Sequence, residues 1–127
     1  MAERLARQLY PQQQFESAGV MPTGAMQPHA AQVLGELGAD AAGFRSRSVY
    51  ALSLSSFTDI VLIGRTAQEL APDVPAGVRV HHWDIDDPYE VSGTEEEELA
   101  AYRACAAELA QHIRALAADV SAVETET

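Results

Sequence analysis

Between residues 81 and 87 the chain reads His81-His82-Trp83-Asp84-Ile85-Asp86-Asp87, a run dense in imidazole and carboxylate, the side chains that bind zinc and related ions. Neighbours on a strand point to opposite faces, so His81 and His82 cannot both reach one ion without a bend. The plainer reading is a strand end that runs into an acidic, cleft-forming loop, and neither a metal nor another cofactor is expected. Taken alone, Asp87-Pro88 is an ordinary acidic turn. His29 and His112 are expected on helix surfaces. Cys105 is the single cysteine and has no internal disulfide partner, which fits a reducing compartment. It stands between Ala104 and Ala106 in a helical pattern, where a buried or half-buried structural thiol is the expectation.

The elements that position these groups alternate between helix and strand. Met1-Ala-Glu-Arg-Leu-Ala-Arg reads as helix interior, without the Ser, Thr, Asp or Asn that normally caps a first turn. Phe15 to Ala18 is a short strand ending at Gly19. Ala30, Val33, Leu34 and Leu37 recur at helical spacing behind Pro28, and Gly38 stands where a left-handed C-cap is needed. Ser46 to Ser56 suits a short helix plus a loop. Phe57 to Ile63 is an apolar run interrupted by Thr58 and Asp59, and it reads as a buried parallel strand. A brief helix over Ala67 to Leu70 precedes Pro72 and Pro75, and Val78 to Trp83 is a further strand.

The last helix is the best specified. Thr94 and Glu97 form a capping box, and Glu95 and Glu96 place negative charge at the positive end of the helix dipole. Leu99, Tyr102, Ala106, Leu109, Ile113, Leu116 and Val120 then give one apolar face. Ser121 to Thr127 lacks that pattern and reads as a disordered tail, which leaves residues 1–120 as a single domain. Strands separated by helices require crossover connections, so the fold class is α/β with a parallel, doubly wound sheet flanked by helices.

Composition narrows the function. A chain of 127 residues that is 47% hydrophobic supports one domain with a real core. Nineteen acids against eight bases leave a formal net charge of −11, which disfavours nucleic acid and anionic membranes as partners. No apolar stretch approaches a membrane span, and no secretory apolar region follows Met1. A soluble, cytoplasmic protein is expected.

An ordered set of motifs carries a resemblance: Met1-Ala-Glu, Phe15-Glu-Ser-Ala-Gly-Val, Gly24 with Pro28, Val33-Leu-Gly-Glu-Leu-Gly-Ala-Asp, Arg45-Ser-Arg, Asp59-Ile-Val-Leu-Ile, Asp87-Pro-Tyr and Tyr102-Arg. Together they resemble the low-molecular-weight protein tyrosine phosphatases and the related arsenate reductases over nearly the whole chain. The resemblance implies a four-stranded parallel sheet, flavodoxin-like in outline. It also implies an oxyanion held by a loop of the form Cys, five residues, Arg between the first strand and the first helix. In that family the first helix begins within Ser-Pro-Met-Ala-Glu, so the matched region starts beyond the loop and the first strand. Cys105 does not substitute, because the sixth residue after it is Gln111.

The resemblance makes Asp87 the general acid that would protonate a phenolate leaving group, a role suited to a positioned carboxylic acid. It makes Tyr89 an aromatic lining the substrate cleft and Ser17 a buttress of the phosphate loop. Departures bear on the branch. Phe44 stands where the phosphatases commonly have a histidine, and Trp83 ahead of Asp86-Asp87-Pro88 resembles the reductases. Gly64 and Arg65, however, occupy the region where thioredoxin-linked reduction needs further cysteines.

The expected function is therefore a phosphatase-like protein without the catalytic loop, inactive as it stands and serving binding or assembly. The alternative is an active phosphatase or arsenate reductase-like enzyme whose catalytic segment lies outside these residues or comes from a partner. A missing central strand would remove several buried side chains worth roughly 1.5–3 kcal/mol each. Either the Phe15 and Phe57 strands should re-pair, or a second copy or partner protein should cover the exposed edge.

Overall fold

A computed structural model of the chain describes residues 1–19, 27–39, 48–70 and 73–126. Gly24, Phe44 and the Arg45-Ser-Arg segment lie outside the described residues, as do Val20 and Asp40. Helix α1 spans Ala2–Leu9 and α2 spans Pro28–Glu36. Two 3-10 turns, Val49–Ala51 and Leu54–Ser56, lead into β1, Asp59–Ile63. Then come α3, Arg65–Leu70, strand β2, Arg79–Trp83, a 3-10 turn at Pro88–Glu90, and α4, Glu95–Glu126.

The two strands are parallel, with Asp59 opposite Arg79 and Ile63 opposite Trp83. This is the α/β arrangement expected from alternating elements, α3 lying in the crossover. The 3-10 turn at Leu54–Ser56 ends with Phe57 N–H donating to Leu54 O at 3.2 Å, which delays β1 to Asp59. Gly64 ends it: its φ of +79 to +90 class is shared with Gly38, the two values being +84 and +79, and its N–H donates to Trp83 O at 3.0 Å. Only glycine enters that left-handed region without strain.

The core sits among the helices. Leu5 and Ala6 of α1, Val33 and Leu34 of α2, and Leu99, Tyr102, Ala106, Leu109 and Ile113 of α4 are buried together with Trp83 and Ile85. The capping box forms as its spacing predicts: Glu97 N–H donates to Thr94 Oγ1 at 3.2 Å, and Thr94 N–H to Glu97 Oε1 at 3.4 Å. Arg103 of α4 clasps Glu36 of α2 through two nitrogens at 2.9 and 2.8 Å. Gly38 closes α2, and Ala39 N–H donates back to Leu34 O at 2.9 Å.

Four expectations are corrected. Phe15 to Ala18 is not a strand: its backbone makes no ladder among the described residues, and only Gly19 forms a parallel bridge, with Ser48. Re-pairing of that segment with β1 is likewise absent there, because no backbone hydrogen bond joins the two. All five residues of β1 are half-buried rather than buried, since among the described residues only one of its edges has a neighbouring strand. Leu37 is 48% exposed, because the turn at Gly38 carries it off the apolar face of α2. Helix α4 is continuous to Glu126. Among the described residues no helix is long and apolar enough to cross a membrane.

Candidate functional site

Two clefts flank α1. The first, about 640 Å³, runs between the Phe15–Gly19 segment and β1. The second, about 700 Å³, lies where the N-terminal end of α1 meets the loop after β2. Ser17 and Asp87 line both, so the structure brings together two of the three residues singled out from the sequence. Tyr89 lines neither, and at 66% exposure it stands on the surface.

Local chemistry explains each placement. The Asp87 carboxylate accepts the Tyr89 N–H at 2.9 Å and so caps the 3-10 turn that Pro88 starts. This fixes Asp87 at the cleft mouth while its side chain stays exposed. Ser17 donates from Oγ to Glu3 Oε1 at 3.1 Å. The Glu3 side chain is 7% exposed and also faces Arg4 Nε at 3.5 Å and Arg7 Nε at 3.7 Å. Among the described residues, then, Ser17 spends its hydroxyl proton on α1.

The second cleft is acidic, with Asp84, Asp86, Asp87 and Glu90 on its walls and Tyr102 and Cys105 on its α4 side. Burial, with the negative charge of Asp87 nearby, raises the Tyr102 hydroxyl above its ordinary value. The Cys105 thiol is also pushed up, chiefly by burial and further by Glu108 and Asp87, against which the chain's amino end acts. A thiol held neutral is a poor nucleophile, since the thiolate is the attacking species.

The His81–Asp87 run resolves into separate roles. His81 Nε2 donates to Asp59 Oδ1 at 2.9 Å, while His82 is exposed on the other face of β2. Asp59 also takes Arg79 Nε at 2.9 Å and Thr58 Oγ1 at 2.9 Å. Among the described residues no group of three or more metal-ligating side chains gathers. His112 is half-buried rather than on the helix surface: its ring stacks on Trp83 with centroids 5.0 Å apart, because Trp83 turns inward at the end of β2. His29 is half-buried as well, edge-on to Tyr102 at 5.7 Å, with Glu95 and Glu98 at 3.7 and 3.8 Å. The hydrogen bond between Ser17 and Glu3 carries no sequence signal, because the pair is fourteen positions apart across a turn.

A family model described as low molecular weight phosphotyrosine protein phosphatase matches residues 1–126. An arsenate reductase of Bacillus subtilis (strain 168) is 30% identical over 118 residues, covering 92% of this chain and 84% of the relative. The crystal structure of arsenate reductase from Archaeoglobus fulgidus DSM 4304 superposes with a TM-score of 0.71 at 26% identity, covering 91% of this chain and 86% of that one. An arsenate reductase solved in its oxidized state gives 0.77 at 19% identity, with 94% and 86% covered, a likeness of fold.

Proposed function

The chain belongs to the low-molecular-weight phosphotyrosine protein phosphatase family, and on that premise we propose that these residues act as a binding and assembly scaffold and do not themselves catalyse phosphate or arsenate chemistry. One observation carries the reading: the single thiol, Cys105, sits inside α4, raised by burial, with Gln111 rather than an arginine six residues on. Covalent phosphoryl transfer requires an activated nucleophile and donors preorganised around the oxyanion. Reduction of arsenate requires two electrons, which a lone thiol cannot deliver as an internal disulfide. Asp87 is well placed at the cleft mouth to act as a general acid, and without a nucleophile that role has nothing to serve.

The position of Asp87 on the same cleft as Ser17 supports a second reading, in which a cysteine-bearing segment from outside these residues completes a site for phosphotyrosine hydrolysis or arsenate reduction. Steady-state assays of the purified chain separate the two. The scaffold reading expects no turnover of para-nitrophenyl phosphate and no thiol-dependent loss of arsenate. Turnover that Asp87→Asn abolishes would overturn it.

A further inference from the structure

Helices α2 and α4 meet at two polar places. At one, Arg103 clasps Glu36. That hydrogen bond is the main cause holding the Glu36 carboxyl below its ordinary value and Arg103 above its own, so both stay charged near neutrality. At the other, His29, the second residue of α2, lies across the first turn of α4. Its Nε2 stands 3.7 Å from Glu95 Oε1 and its Nδ1 3.8 Å from Glu98 Oε2, one carboxylate beside each ring nitrogen. Tyr102 follows on the same stripe of α4 and meets the ring edge-on at 5.7 Å.

That arrangement suits one charge state of the ring. A neutral imidazole has one N–H and one lone pair, so in either tautomer a lone pair faces a carboxylate, whereas an imidazolium presents an N–H to each. Both separations exceed an ordinary hydrogen bond of about 2.7–3.2 Å, a gap that small side-chain rotations close once both nitrogens can donate. Among the described residues the surrounding charges point the same way. The other ionisable group of α2 is Glu36. Helix α4 presents Glu95, Glu98, Tyr102 and Arg103, the last taken up by Glu36. The 88–90 turn, packed on α4, adds Asp87 and Tyr89, which act with Glu98 on the Tyr102 hydroxyl. Helix α1, also packed on α4, keeps Arg4 and Arg7 beside its own Glu3. The start of the α2 dipole, worth about half a positive charge, opposes a cation at His29, and two full carboxylate charges outweigh it.

We propose that His29 is a proton-operated latch: forming its imidazolium draws the start of α2 onto the first turn of α4 and stiffens the wall of the second cleft that these helices share. Gln27 and Ala30 at the start of α2, with Tyr102 and Cys105 of α4, line that cleft. Because the latched state holds the proton more tightly than the loose one, its share rises as pH falls. The Arg103–Glu36 clasp keeps the helices together at either pH, which confines the change to the first turns. This regulation goes beyond the scaffold reading and does not depend on whether the chain catalyses.

The test is hydrogen exchange of the full chain in low salt at about pH 5.5 and about pH 8, either side of the ordinary imidazole value of about 6.5. Expressing the rates as protection factors removes the intrinsic pH dependence of exchange. The reporters are the first backbone bonds of the two helices, from Ala31 N–H to Gln27 O at 3.0 Å and from Glu98 N–H to Thr94 O at 2.9 Å. Protection at both is expected to rise about threefold in acid, the scale of part-exposed ion pairs. His29→Gln, which hydrogen-bonds without titrating, should leave both amides at the unlatched level at either pH. Glu95→Gln combined with Glu98→Gln should do the same with the ring in place, and it decides the question should His29→Gln fail to fold. His29→Arg, a permanent cation, should keep the protection at about pH 8. A wild-type response no larger than that of His29→Gln overturns the proposal by tracing the proton to another group. A response that survives loss of both carboxylates overturns it as well.

Discussion

Ser17 donates its hydroxyl proton to Glu3 across fourteen residues of chain, at 3.1 Å. That bond and the one from Arg7 to Phe15 O hold the 15–19 segment against α1, and so set one wall of the first cleft. Glu3 is the centre of the arrangement, because its nearly buried carboxylate is offset by Arg4, Arg7 and Ser17 together.

Glu3→Ala is expected to destabilise the fold by about 2–4 kcal/mol, since it leaves cations and a hydroxyl around a partly buried site without their acceptor. Ser17→Ala removes one neutral donor and should cost about 1 kcal/mol. Urea unfolding at pH 7 measures both. Equal losses for the two variants would show that Glu3 acts only through Ser17.

Asp59 controls the acid limb of stability. Burial alone would raise its carboxyl, but hydrogen bonds from His81, Thr58 and Arg79, with the Arg79 charge, outweigh burial and hold it below its ordinary value. A carboxyl depressed in the folded state contributes stability above its unfolded pKa of about 3.9 and loses it as pH falls through the folded value. The wild-type chain should weaken from about pH 5 downward, and Asp59→Asn should be about 1–2 kcal/mol less stable at pH 7 with a shallower decline in acid. Superimposable slopes for the two proteins between pH 5 and 3 would remove Asp59 from this role.

Much of this was legible in the sequence wherever signals are local. The Thr94–Glu97 box, the Pro28 start and Gly38 stop of α2, and the period of Leu99 to Ile113 depend on neighbours within a turn, and each element formed with its expected face inward except at Leu37. Phe15 to Ala18 failed because a strand exists only with a partner ladder, and its composition says nothing about whether one stands beside it. The same non-local logic left Ile60 to Ile63 half-buried despite a run that reads as interior. Of the site, Asp87 and Ser17 share a cleft while Tyr89 does not, because the cap that Asp87 gives the 88–90 turn directs Tyr89 outward.

Thr94→Ala should cost about 1 kcal/mol, as the cap hydroxyl satisfies the Glu97 amide and accepts it in the capping geometry. Thr94→Asp should restore most of the loss, because it keeps an acceptor and adds favourable charge at the helix start. Thermal unfolding monitored by helical circular dichroism gives the order. A Thr94→Asp variant as weak as Thr94→Ala would mean that the hydroxyl matters through contacts other than the cap.

Cys105 offers the sharpest check on the noncatalytic reading. A catalytic thiol is recognised by a depressed pKa, whereas burial pushes this one up, and Glu108 and Asp87 act in the same direction. At pH 8 the folded chain should therefore react with a chromogenic disulfide reagent at least tenfold more slowly than the same chain in denaturant, and the ratio should shrink as the pH rises. Cys105→Ala should leave any residual phosphatase signal unchanged, which would trace that signal to a contaminant rather than to this thiol. Rapid labelling at pH 6, combined with loss of turnover in Cys105→Ala, would instead identify an activated nucleophile on α4 and overturn the account of the site.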